Sequence, residues 1–389
     1  MQLSLVLPFI SLAGALMLPN PTGPYPVSVV VESLADKSRL DPYAPKSSPH
    51  QRRVVTSLFL PVNSTTVRSE VRTVPYMTPL VAEDYGLLAT TVGLPNSTFA
   101  SFKVNTTHIL GGRCSNKNRS TSNARPSKLP LVVFSPGFGQ SRLLYGTMAR
   151  SMASEGYAVV TIDHPYDASI VEFPDGSFVR NANISTDDDA ALEQVIKVRS
   201  ADVSFVIDQL RDSAVFHRAL DQHKAAIDFS RIVMYGHSLG GATAANVMLS
   251  DPRILGGVDL DGRFFNPVLK TGLDRPFLLL GRAGHSSEDP TWSAFYNNLR
   301  GARVDMAVAG TLHGSFTDFP VIVDILDLPR ATADQVAGSV SGERMDVVVK
   351  SVLVAFCDFV FGKNVSPELL QHGQEGLPEI TVVRADLRK

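Results

Sequence analysis

Short runs of β-branched and apolar residues alternate along the chain with longer stretches whose apolar positions recur at helical spacing. The runs predict strands over residues 27–32, 54–61, 129–135, 158–163, 232–235, 255–260, 277–280 and 304–309. Several are apolar almost throughout, as strands covered on both faces must be. The clearest helix is predicted over 188–210, where Ala191, Val195, Val198, Val203, Val206 and Leu210 share one face. A second helical stretch, 333–361, carries a break near Gly338 and Gly342. Strands alternating with helices predict an α/β class, with an eight-stranded, mostly parallel sheet flanked by helices. Residues 63–127 interrupt the pattern: they are rich in Ser, Thr, Asn and Pro and read as a long, partly ordered insertion without a core of its own. Within it, 117–128 reads as an exposed loop open to proteolysis.

Composition narrows the picture. Of 389 residues, 44% are hydrophobic and 19% charged, which favours a large buried core. Lys plus Arg number 36 against 38 Asp plus Glu, a net charge of −2 with no basic block, which argues against nucleic acid as a partner. The two cysteines, Cys114 and Cys357, are too few and too far apart for a zinc site or a disulfide-stapled fold. A bridge between them and a buried free thiol at Cys357 both remain open.

The first twelve residues are an uncharged apolar run followed by Ala13-Gly14-Ala15, which reads as a secretory signal peptide over 1–15. Pro19, Pro21 and Pro24 follow too soon for a membrane-spanning helix, which needs about 20 apolar residues. Six N-x-[ST] sequons, at Asn63, Asn96, Asn105, Asn118, Asn183 and Asn364, suit a glycosylated, secreted protein. The expected organisation is a signal over 1–15, one domain over 16–375 with a glycosylated insertion around 63–127, and a C-terminal tail over 376–389.

The sharpest chemical signal is Ile232-Val233-Met234-Tyr235-Gly236-His237-Ser238-Leu239-Gly240-Gly241, an apolar strand that runs into G-x-S-x-G and then into the small-residue helix Ala242-Thr243-Ala244-Ala245. This is the setting of a nucleophile elbow, with Ser238 as nucleophile. A serine hydroxyl needs a base, and in α/β-hydrolases the order along the chain is Ser, acid, His. Only His285, His313 and His372 follow the elbow. His313 lies on the loop after the last predicted strand, at the carboxyl edge of the sheet, whereas His285 comes one strand too early and His372 sits in the polar tail. The acid is read at Asp261, beside Gly262, with Asp259 as the alternative; alternation would put both on one face. The oxyanion donors are the backbone N–H groups of Leu239 and of Phe138, the latter in Phe134-Ser135-Pro136-Gly137-Phe138-Gly139.

These stretches, together with Leu144-Tyr145, Gly257 to Asp261 and Gly310-Thr311-Leu312-His313-Gly314-Ser315-Phe316, resemble the plasma-type (group II) platelet-activating-factor acetylhydrolases. The likeness is strongest over 129–319. It implies an α/β-hydrolase fold and a serine esterase that needs neither metal nor cofactor. It further implies a Ser238, Asp261 and His313 triad, a small ester or phospholipid substrate, and transient contact with a lipid surface. Two departures stand out: Pro136-Gly137 where the family usually has His-Gly, and Gly262-Arg263 where an aromatic residue usually follows the acid. A secreted carboxylic-ester hydrolase acting through an acyl-enzyme is therefore expected. The alternatives are an acyltransferase or cyclising hydrolase of specialised metabolism, a cutinase-like polyester hydrolase, and a catalytically silent binding module of the same fold.

Overall fold

The computed structural model describes residues 15–110, 127–364 and 366–388. The signal expected over 1–15 lies outside them apart from Ala15, as do Cys114 and Asn118. The nine strands of the main sheet are β1 (Val27–Leu40), β2 (Gln51–Pro61), β3 (Ser127–Ser135), β4 (Ala158–Asp163), β5 (Ala225–His237), β6 (Ile254–Leu260), β7 (Phe277–Arg282), β8 (Arg303–Val308) and β9 (Ile380–Asp386). Their spatial order is β9-β8-β7-β6-β5-β3-β4-β2-β1. The six strands β8-β7-β6-β5-β3-β4 run parallel, while β2, β1 and β9 pair antiparallel at the two edges. All eight predicted strands are present. The ninth, β9, occupies half of the stretch expected to be a tail. Its alternating side chains are half exposed, so it lacks the apolar run of a strand covered on both faces.

Alternation along each central strand builds two cores. On one face Val132, Phe134, Tyr235, Val258 and Leu280 pack with α1 (Pro79–Thr90), α2 (Gly146–Ser154) and α7 (Gly342–Val360). On the other, Leu131, Val133, Ile232 and Met234 pack with α3 (Asp189–Asp212), α4 (Leu239–Ser250) and α5 (Pro290–Asn298). The start of α3 is fixed by Asp188, whose carboxylate accepts from Ala190 N at 2.9 Å. The predicted break in the later helix is real: α6 (Arg330–Ala337) ends at Gly338, whose φ of +72° suits glycine, and Ser341 caps α7. Cys357 is a buried free thiol in α7.

The insertion is more structured than its composition predicts. Thr78-Pro79 opens α1, proline being favoured in a first helical turn. Strands Ser69–Pro75 and Phe102–Ile109 form a small sheet with Leu16–Met17. Val81, Tyr85, Phe99 and Phe102 join the same core as α2 and α7. No helix among the described residues is long and apolar enough to cross a membrane.

Candidate active site

Strand register brings the site together. Gly236 of β5 lies opposite Ser135 of β3 on one side and Asp259 of β6 on the other, so three loops leave the sheet at one level, from its carboxyl edge. Ser238 turns sharply out of β5 with φ 55° and ψ −124°, a strained conformation for a residue with a side chain. The turn is tight enough that a Cβ on Gly236 would lie 2.2 Å from the Gly240 carbonyl group, and one on Gly240 would lie 2.0 Å from the Ser135 oxygen. The Ser238 amide donates to Leu260 O at 2.8 Å, tying the elbow to the end of β6. Leu239 opens α4, where helix geometry leaves its N–H without an intrahelical acceptor.

Asp261 follows β6, but the chain turns there with φ 57°, so alternation does not carry across from Asp259. The two carboxylates consequently face different surroundings. Asp259 is fully buried beneath the elbow, where among the described residues it accepts only from Gly262 N, at 3.1 and 3.0 Å, and burial pushes its pKa well above the usual carboxylate range. Asp261 meets two imidazoles. His313 Nδ1 donates to Oδ2 at 2.7 Å and His285 Nδ1 to Oδ1 at 2.6 Å, while Arg282 N donates to Oδ1 at 2.8 Å. Burial opposes the charge on Asp261, yet the bonds from His285 and His313 and the charge on His285 hold its pKa well below the usual range.

The contact between His285 and Asp261 was not anticipated in the sequence. His285 comes one strand too early to be the base, but Gly284, with φ +86°, starts a short helix that folds it back onto the acid. Its ring stacks on Trp292 at 4.1 Å and its Nε2 lies 3.4 Å from Asp289 Oδ2. Burial works against protonation, but the bonds to Asp261 and Asp289 outweigh it and raise the pKa to about 9. His285 is therefore a cation at neutral pH. The side chain of His313, by contrast, is 52% exposed, and its Nε2 engages no described residue.

His237, inside the elbow, anchors the floor. It is buried, and desolvation together with the neighbouring His313 lowers its pKa to about 3, so it is neutral. Its Nε2–H donates to His313 O at 3.0 Å, which leaves Nδ1 to accept from Tyr145 OH at 2.9 Å. Tyr145 OH in turn accepts from Gly137 N at 3.1 Å. One chain of hydrogen bonds thus links the loop bearing Phe138 to the loop bearing His313.

Behind the Phe138 loop, buried Arg199 of α3 donates to Pro136 O at 2.6 Å and Gly137 O at 3.2 Å, and both Asp167 oxygens hold it at 2.5 Å. The Gly137 carbonyl and the Phe138 N–H belong to one planar peptide and point in opposite directions. Holding the carbonyl therefore fixes the direction of the Phe138 donor. Removing either partner of a pair this deeply buried costs about 3–5 kcal/mol, because it strands a charge. Among the described residues, no group of three or more His, Cys, Asp or Glu side chains is arranged to hold a metal ion.

A family model described as platelet-activating factor acetylhydrolase, isoform II, matches residues 89–219 and 187–357. The chain belongs to that family. A protein of Arthroderma benhamiae named "Probable 1-alkyl-2-acetylglycerophosphocholine esterase" is 27% identical over 95% of this chain and 94% of its own length. Platelet-activating factor acetylhydrolase of Cavia porcellus is 26% identical over 66% of this chain and 64% of its own. Among solved structures, a ferulic acid esterase from Streptomyces cinnamoneus is 30% identical, with a TM-score of 0.73, covering 95% of this chain and all of that one. The protein is a carboxylic-ester hydrolase of α/β-hydrolase fold, as its relatives in the family are.

Proposed function

We propose that the protein hydrolyses short-acyl esters of glycerophospholipids through an acyl-enzyme on Ser238. His313 Nε2 takes the Ser238 proton as Oγ bonds to the ester carbonyl carbon. The oxyanion forms against the N–H groups of Leu239 and Phe138. The ester C–O bond then breaks, and the proton passes from His313 to the departing alkoxide. Water, with His313 again as base, attacks the acyl carbon; the Ser238 Oγ–acyl bond breaks, Oγ takes the proton back from His313, and the carboxylic acid leaves. Asp261 keeps the Nδ1–H tautomer of His313 and stabilises the imidazolium. The observation that carries this reading is the 2.7 Å bond between Asp261 and His313, on a carboxylate next in the chain to Leu260, whose carbonyl accepts from the amide of the strained Ser238 elbow.

Ser238→Ala is expected to abolish hydrolysis of short p-nitrophenyl esters and leave the melting temperature nearly unchanged; undiminished turnover would end the proposal. The acyl and head-group preference follows the relatives' names, so 2-acetyl glycerophosphocholine should exceed long-chain phosphatidylcholine in kcat/KM. The Streptomyces neighbour supplies the competing reading. An apolar cluster beside the elbow, Leu192, Val195, Ile196, Leu239 and Phe265 with Phe138 against it, would suit an aromatic acyl group. Methyl ferulate turned over faster than the acetyl phospholipid would decide for it.

We take residues 16–386 as one domain, because the insertion shares its core with α2 and α7 and β9 completes the main sheet beyond residue 375. Secretion as a glycoprotein is part of the same proposal. Asn63, Asn96, Asn183 and Asn364 are exposed, while Asn105 is half buried and its side-chain oxygen accepts from Thr73 at 2.9 Å. Recovery from the medium of a eukaryotic host, with a mature N-terminus near residue 16 and a mass loss on enzymatic deglycosylation, is the expected result. An intact N-terminus on cell-retained protein would contradict it.

A further inference from the structure

Among the described residues four arginines are buried: Arg52, Arg142, Arg150 and Arg199. Three clasp carboxylates: Arg52 pairs with Asp41 at 2.9 Å and Asp202 at 2.7 Å, Arg142 with Asp163, and Arg199 with Asp167 at 2.5 Å. Arg150 of α2 has no carboxylate within 4.0 Å among the described residues; it donates to the backbone oxygens of Pro19 at 3.3 Å and Asn105 at 3.1 Å. A guanidinium carries five N–H donors, so three are left without an acceptor among the described residues. Burial lowers the Arg150 pKa to about 10, which still leaves it charged at neutral pH. Asp318 and Asp346 act on it through space without reaching it; Asp318 is engaged by Tyr76 OH at 2.8 Å and by Thr147 N, and burial raises its pKa to about 7.

Arg150 forms part of the wall of a cavity of about 440 Å³ between α2, β1, β2 and the small sheet of the insertion. That volume falls in the range of small-ligand sites. The rest of the wall is mostly apolar, with Leu18, Val29, Phe59, Val74, Val104 and Leu143 among its side chains. None of the wall residues belongs to the Ser238, Asp261 and His313 cluster. Tyr145, two residues from Leu143, turns the other way, towards His237. A buried cation with spare N–H donors and an apolar wall around it call for an anionic group and a hydrocarbon chain at one site. One kind of molecule supplies both.

We propose that this cavity binds a single-chain carboxylate, a medium-chain fatty acid whose head pairs with Arg150 and whose hydrocarbon fills the apolar space. The planar guanidinium fork matches a carboxylate through two parallel N–H···O bonds. A zwitterionic phospholipid head fits less well, because the wall has no Asp or Glu to meet a choline ammonium. The site is separate from the hydrolytic chemistry and stands whether or not Ser238 is the nucleophile.

The test is calorimetric titration of the full chain with decanoate, before and after treatment with a serine-directed fluorophosphonate. One decanoate should bind per chain, unaffected by that treatment, with decanol at least about tenfold weaker for its lost charge-assisted hydrogen bond and acetate at least about tenfold weaker for its missing hydrocarbon. Arg150→Met should weaken decanoate by at least about tenfold. Val104→Phe, which narrows the cavity and keeps the guanidinium, should do the same, and it decides the matter if Arg150→Met does not fold. Undiminished affinity in the folded variants, decanol bound as tightly as decanoate, no binding at millimolar concentration, or binding lost on fluorophosphonate treatment would each overturn the proposal.

Discussion

Asp259 and Asp261 stand two residues apart at the end of one strand, and both side chains are almost wholly buried. One is pushed towards its neutral form and the other is held as an anion. The difference lies in the neighbours. Asp259 looks inwards to the backbone of Gly262 and the elbow glycines, where one N–H offsets little of the desolvation penalty. Asp261, turned outwards by its positive φ, receives two imidazole N–H groups and a backbone amide. Depth of burial alone does not decide ionisation; the number of donors reaching the carboxylate does.

Asp261→Asn tests the charged member of the comparison and should have the largest effect. The amide presents the wrong partner to His313 Nδ1, and kcat is expected to fall by about 10⁴-fold in a steady-state ester assay with folding intact. A loss below tenfold would mean that the anion is not what orients His313. His285→Gln removes the cation on the other oxygen. With His285 as a positioning residue for Asp261, kcat should drop by roughly 10- to 100-fold with KM little changed. A rise in KM at constant kcat would instead assign His285 to substrate binding.

The same histidine makes stability depend on pH. Its pKa is near 6.5 unfolded and about 9 folded, so the folded state binds the extra proton between those values. The stabilisation is complete below about pH 6.5 and is lost as pH rises through 9. Melting temperature followed from pH 6 to 10 should fall by several degrees across that window, and the fall should be absent in His285→Gln. Asp259→Asn should do least. Replacing a carboxyl that burial pushes towards its neutral form with an amide of the same shape ought to leave kcat within about threefold. A collapse of activity there would show that Asp259 works as an anion and erase the contrast.

The sequence made the central strands legible because apolar runs flanked by turn residues have few other uses, and Gly338 signalled the break between α6 and α7. The Ser238, Asp261 and His313 reading rested on chain order, and in the fold the last two share a hydrogen bond. His285 escaped because chain order can rank candidates for one role but does not reveal that a carboxylate with two oxygens takes two imidazoles. His237 carries no sign in the elbow motif of what it holds; it bonds Tyr145, 92 positions away, and the His313 carbonyl, 76 positions away. Arg199 left no local signal, since an arginine within a helix looks like any solvated charge until the turn it grips is folded against it. In the insertion, Thr78-Pro79 was a readable helix start obscured by the polar composition around it.

The strand β9 has a practical consequence. It pairs with β8 from Arg303 to Val308, the Ala309 amide donates to Glu379 O at 2.8 Å, and Arg384 grips buried Asp305 at 2.9 Å. A chain cut before residue 376 would bare the backbone of β8 along its whole length, an open template onto which other chains can add strands. It would also untie the residues that lead into His313. Expression of this protein should therefore keep its last residues, with any affinity tag placed after a spacer, because solubility and the setting of the histidine depend on the same seven-residue strand.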